Sequence, residues 1–191
     1  LFGGLGISLF RRRLARRLFL RRTSLRSLEP ISRTSDLPDV DDAVRWLGEV
    51  KVSGETHMAL LCHPPSAVTY EASSLGRTVV VAPCTMLPSI WEANRGGVTC
   101  TLTVTAGDGW KAERTIHIDP HRRWRDRRWQ RLTIAAPSPG PADMTTVRVT
   151  LKTAVPPGGT LDNAWAIWGE PHLRAWRSAD EITTSLRGLL A

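Results

Sequence analysis

From Glu49 to Leu173 the apolar residues return at every second position in short runs, and the runs are separated by glycine- or proline-rich breaks. Side chains of an extended strand point alternately to two faces, so such a run marks a strand with one buried face. The clearest case sets Val98, Cys100, Leu102 and Val104 against Thr99, Thr101 and Thr103. Val147, Val149 and Leu151 stand in the same way against Thr146, Arg148, Thr150 and Lys152. About eight or nine such runs follow at roughly ten-residue spacing, with no helical run between them, which predicts an all-β fold. The expected architecture is an antiparallel β-sandwich of the jelly-roll kind. A parallel sheet is excluded because the crossover helices are missing.

The breaks are specific. Ser53-Gly54-Glu55 joins Glu49–Val52 to Thr56–Cys62 as a hairpin, and His63-Pro64-Pro65-Ser66 ends it because proline cannot donate to a ladder. Gly107, Asp108 and Gly109 turn the 98–104 strand into Trp110–Ile118, and Asp119-Pro120 stops that one. Asp162 to Leu173, DNAWAIWGEPHL, places Trp165 and Ile167 on one parity and Ala164, Ala166 and Trp168 on the other. Both faces are apolar, so this stretch reads as a core strand closing the sandwich, with Trp129, Trp165 and Trp168 in the core. Val40 to Leu47 fits one or two helical turns.

The chain has 191 residues, room for one domain with appendages, and a net charge of +8 that is not spread along it. Residues 1 to 33 hold nine arginines against the single acid Glu29, and the remainder is balanced. A nucleic-acid-binding domain is disfavoured, since its folded part would carry the basic charge. At helical spacing Ile7, Phe10, Leu14, Leu18, Leu25 and Leu28 share a face. Residues 1–28 are therefore expected to form a basic amphipathic or juxtamembrane helix. Its membrane-contact residues would be Phe10, Arg11, Arg12, Arg13, Leu14, Arg16, Arg17 and Leu18, set against anionic lipid. The apolar run Leu1–Phe10 is too short to cross a roughly 30 Å hydrocarbon core, and reads either as the end of a longer span or as part of that surface helix. A solvated basic linker helix fits the same pattern. The chain begins at Leu1, not Met, and reads as a processed chain or a fragment of a larger protein. Residues 29–48 read as a linker, 49–174 as the sandwich, and 175–191 as a short helix in which Ser178 and Glu181 form a capping box.

Chemistry-bearing motifs are sparse. Cys62, Cys84 and Cys100 form no paired spacing and read as buried small residues, with a single disulfide left open. The five histidines show no zinc-ligand spacing, no nucleophile sits in an elbow, and no glycine loop precedes a Lys-Ser or Lys-Thr. Asp108, Asp162 and Asn163 carry oxygens that suit calcium, and turn chemistry explains them equally. The expectation is a non-enzymatic domain with no cofactor and no metal.

Several landmarks stand in order: His63-Pro64-Pro65-Ser66 before a strand, Trp91 ahead of a Gly-Val strand, Asp119-Pro120, Arg128-Trp129, and Trp165 to Pro171. Together they resemble a lectin-like or carbohydrate-binding-module-like β-sandwich, galactose-binding-like in type. Domains of this kind occur as accessory parts of bacterial envelope proteins, including glycosyltransferases and multi-pass membrane proteins. The resemblance spans Glu49 to Leu173 and departs from the family at Ala136–Asp143, where a Leu-Ser-x-Tyr-Ala-Gly-like segment is usual. It implies a non-catalytic domain with a glycan or envelope partner, membrane-associated through its parent.

Indole faces stack on sugar C–H faces, so the tryptophans outside the strand interiors, Trp91, Trp110 and Trp124, are the candidate ligand platforms. Trp124 stands among Arg122, Arg123, Arg125, Asp126, Arg127 and Arg128, and guanidinium forks suit an acidic sugar, a phosphate or a lipid headgroup. The candidate ligand-binding set is Trp91, Trp110, Trp124, Arg122, Arg123 and Arg125. The alternative is a structural interaction domain that packs against its parent enzyme and binds no glycan.

Overall fold

A computed structural model describes residues 20–75, 78–107, 109–137 and 144–176. Its strands are β1 (Leu20–Ser24), β2 (Pro30–Ser35), β3 (Val44–Val52), β4 (Glu55–Cys62), β5 (Ser66–Leu75), β6 (Thr78–Met86), β7 (Val98–Ala106), β8 (Trp110–Ile118), β9 (Gln130–Ala136), β10 (Met144–Ala154), β11 (Ala166–Gly169) and β12 (His172–Trp176). They form two antiparallel sheets. The smaller runs β2-β5-β10-β7-β8. In the larger, β6 lies between β9 on one side and β11 with β12 on the other; β11 pairs on to β4 and then β3, and β12 pairs on to β1.

The alternation read from the sequence sets which side chains meet between the sheets. Val98, Cys100, Leu102 and Val104 of β7, with Val147, Val149 and Leu151 of β10, turn inward against Val80, Ala82, Cys84 and Met86 of β6. Trp168 joins them without exposure. The other face of β11 is buried too. Ile167 packs there with Val52, Ala59, Leu61 and Trp129 in a second cluster on the outer side of the larger sheet. Gly169 is required in that cluster, because a Cβ would stand 2.9 Å from the Trp129 ring and 3.0 Å from His57. The Trp129 indole nitrogen donates to the Glu55 carbonyl at 3.1 Å.

The N-terminal boundary differs from expectation. Leu20–Ser24 is a strand, not the end of an amphipathic helix, and pairs antiparallel with β12 from Leu20↔Trp176 to Ser24↔His172. Leu25 follows in a 3-10 turn and is fully buried in the core. The free edge of β12 offers a row of backbone partners, which a short isolated helix cannot match in water. The expected linker 29–48 is also structured. It contains β2, which pairs β5; a helical turn, Val40–Ala43, capped by the Asp39 carboxylate; and the first residues of β3. Pro30 is tolerated because it opens an edge strand. The sandwich thus begins at Leu20, not Glu49. Ala175 and Trp176 belong to β12 and not to a helix; the rest of the expected C-terminal helix and residues 1–19 lie outside the described residues, as do Asp108 and most of Ala136–Asp143. No helix among the described residues is long and apolar enough to cross a membrane.

Candidate functional site

The strand registers gather three long connections at one end of the sandwich. The 87–97 loop leaves β6 at Met86, the 119–129 loop leaves β8 at Ile118, and the 155–165 loop enters β11 at Ala166; Val98 pairs Ile118, and Ala166 pairs Met86. Asn94 joins two of them: its amide donates to the Asp162 carbonyl at 3.1 Å, and its oxygen accepts the Gly96 and Gly97 N–H groups. Gly97 has φ +70°, and a Cβ there would strike the Ile118 carbonyl, so the 87–97 and 119–129 loops pass each other too closely for any side chain.

The 119–129 loop is braced from within. The buried Asp126 carboxylate accepts the Asp119 N–H at 2.8 Å and pairs with the Arg123 guanidinium at 2.7 Å. Arg123 also donates to the His117 carbonyl at 2.6 Å. The Asp119 carboxylate accepts the Arg122 N–H at 3.1 Å. Arg127 lies with its guanidinium 5.8 Å from the Trp91 ring centroid, donates to the Pro120 carbonyl at 2.9 Å, and pairs with Glu92. The Gln130 amide donates to the Arg125 carbonyl at 3.1 Å, and the Ser53 hydroxyl at the β3–β4 hairpin tip donates to the Arg127 carbonyl. A single 3-10 turn, Trp124–Asp126, stands on this frame, and its first residue, Trp124, is 83% exposed.

The candidate residues thus separate. Trp124, Arg122, Arg123 and Arg125 share the loop. Trp91 sits beside it but is half-buried, its nitrogen donating to the Met86 carbonyl at 3.0 Å and its ring covered by Arg127, so it is a wall of the frame and not an open platform. Trp110 is not part of this site. It pairs with Ala106 at the far end of β8 and packs against the core; at a rise of about 3.3 Å per residue it lies about 26 Å from Ile118. Trp165, expected in the core, is 40% exposed because it precedes β11 and stands in the 155–165 loop. Arg123 is held by Asp126 and His117, while Arg125 and Arg128 form no ion pair among the described residues. Asp126 pairs within the loop with Arg123, and the only stacked guanidinium among the described residues lies on Trp91 and not on Trp124.

Arg127, Glu92, Asp119 and Ser53 do structural work at this site that their sequence neighbourhoods did not single out. The Asp119-Pro120 break and the lone Asp126 among arginines were the available signals.

Elsewhere the titratable groups are structural. Cys62, Cys84 and Cys100 are free and buried, and desolvation pushes the Cys62 and Cys84 thiols up. Burial likewise raises the Tyr70 phenol. His172 is pushed down by burial; one ring nitrogen meets the Glu170 carbonyl at 2.9 Å, and the other meets Arg174 Nε at 3.1 Å. Among the described residues no three His, Cys, Asp or Glu side chains converge as metal ligands.

Comparison with protein-family models returns no match, and neither does comparison with curated proteins. Among solved structures the fold is similar to that of carbohydrate-binding modules. The CBM51-2 and INT domains of Clostridium perfringens ZmpB, in complex with GlcNAc, superpose with a TM-score of 0.53 at 15% identity, over 82% of this chain and 32% of that one. The tandem CBM51 modules of Sp3GH98, the family 98 glycoside hydrolase from Streptococcus pneumoniae, give 0.52 at 14% identity, over 81% of this chain and 47% of that one. The protein therefore has the β-sandwich fold of these modules while spanning less than half the length of either structure.

Proposed function

We propose that the domain binds carbohydrate without catalysing a reaction on it, through the loop surface centred on Trp124. The observation that carries this reading is an indole 83% exposed on a turn whose neighbours are braced by buried aspartates. Exposing that much apolar surface forfeits burial that a folded chain otherwise gains, and holding it on a rigid turn removes ordering cost from a later contact. An indole presented in this way stacks on a sugar ring. The fold shared with carbohydrate-binding modules supports the reading. Isothermal titration of the protein against a panel of neutral and acidic oligosaccharides tests it. Saturable binding that is lost in Trp124→Ala is expected. No saturable binding to any member of the panel would favour a domain that only packs against its parent.

The wider setting belongs to the same proposal. The domain is an accessory part of a larger bacterial envelope protein, a glycosyltransferase or a membrane protein. The basic segment carrying Phe10, Arg11, Arg12, Arg13, Leu14, Arg16, Arg17 and Leu18 lies outside the described residues and tethers the domain to an anionic membrane surface. Co-sedimentation with phosphatidylglycerol vesicles and not with neutral ones is expected. Indifference to lipid charge would remove the tether.

A further inference from the structure

We infer that the sugar recognised at Trp124 is anionic, carrying a carboxylate of the uronate class; this rests on the carbohydrate reading above and narrows it. The argument starts from which groups of the loop remain free. Six arginines and two aspartates lie between Asp119 and Arg131. Both aspartates are buried and accept bonds inside the loop: Asp126 from the Asp119 N–H and Arg123, Asp119 from the Arg122 N–H. Arg123 and Arg127 are engaged with Asp126, Glu92 and main-chain carbonyls, and Arg131 meets Glu55 at 3.4 Å.

What faces outward around the exposed indole is therefore Arg122, Arg125 and Arg128. Arg122 stands 3.9 Å from Asp119 with its side chain 73% exposed, and the other two have no ion-pair partner among the described residues. Guanidinium groups only donate hydrogen bonds. Neutral sugar hydroxyls both donate and accept, and their donors need carboxylate or amide acceptors beside the stacking ring. The carboxylates of this loop are turned inward, and Glu92, the acid beside it, is held by Arg127 with His121 at 3.9 Å. The three free guanidinium groups of this loop only donate, which matches a ligand edge that accepts. A carboxylate on a pyranose ring supplies that edge in the planar, bidentate form the guanidinium fork fits.

The test titrates three forms of the full chain, unaltered, Arg125→Gln/Arg128→Gln and Trp124→Ala, with a galacturonate trisaccharide and a neutral galactose trisaccharide. Phosphatidylglycerol vesicles form a third arm. The galacturonate is expected to bind the unaltered protein more tightly than the neutral sugar. Its Kd should rise with salt, and the double variant should weaken it by about tenfold or more, the scale of one or two lost charge-assisted bonds. The double variant should weaken the neutral sugar much less than the galacturonate, since it loses neutral and not charge-assisted bonds there, and Trp124→Ala should weaken both. Equal binding of the two trisaccharides, with the arginine variant unchanged, overturns the anionic assignment and leaves the carbohydrate reading standing. Binding of neither sugar overturns both. Vesicle binding that depends on Arg125 and Arg128, without galacturonate binding, assigns the loop to lipid and overturns the inference.

Discussion

Trp165 and Trp168 stand in one stretch, and the fold treats them oppositely. Trp168 is on β11 between β6 and β4 and is completely buried, while Trp165 stops short of the strand and remains 40% exposed. Trp168→Ala should destabilise by about 3–5 kcal/mol through the cavity it leaves, and Trp165→Ala by less, about 1–2 kcal/mol. Urea denaturation of the two variants checks the contrast. Strand parity could not separate these residues, because it assumes a strand that continues through both. His172 carries a pH dependence. Its ring is desolvated, which lowers its folded-state pKa below the ordinary 6.5. The unfolded chain then binds the proton first as pH falls, so stability is fully present above about pH 6.5 and is lost below it until the lowered folded-state value is passed. The groups facing the ring, Arg22, Arg174 and Glu170, are not expected to reverse this sign, since burial is the leading cause. Thermal melts from pH 7.5 downward should show the decline, and His172→Gln should flatten it. An unaltered slope in that variant would assign the dependence to other groups.

The strands of the sandwich between Trp110 and Thr153 were legible because one face is buried and the other wet, which writes period two directly into the sequence. Strand β10 shows this, with Val147, Val149 and Leu151 buried while Arg148 and Lys152 stay exposed. Strand β1 was not legible. Leu18, Leu25 and Leu28 on either side of it satisfy a helical stripe, and its partner, β12, lies at the other end of the chain, so nothing local marks the pairing. Leu25 decides between the two readings. On a surface helix Leu25→Ala would cost little; in the core behind β1 it should cost about 2–5 kcal/mol. A chain beginning at Leu20 should likewise melt higher than one beginning at Pro30. Equal melting temperatures would return the segment to an appendage. The loop frame was hidden for a different reason. Charge composition located the arginines around Trp124, but which of them turn inward is set by Asp126, the Pro120 carbonyl and Glu92, and the last of these comes from another loop.

Across the whole molecule the two ends of the sandwich differ. One gathers the 87–97, 119–129 and 155–165 loops around an exposed indole. At the other, Trp110 pairs with Ala106 beside the tight turn joining β7 and β8. The sequence nominated tryptophans at both ends, and only the fold distinguishes them. The contrast yields the most direct test of the account. Oligosaccharide binding is titrated against Trp124→Ala and Trp110→Ala, with circular dichroism confirming the fold of each. The account predicts that binding is lost in Trp124→Ala and retained in Trp110→Ala. Full binding by Trp124→Ala, or loss confined to Trp110→Ala, would contradict it.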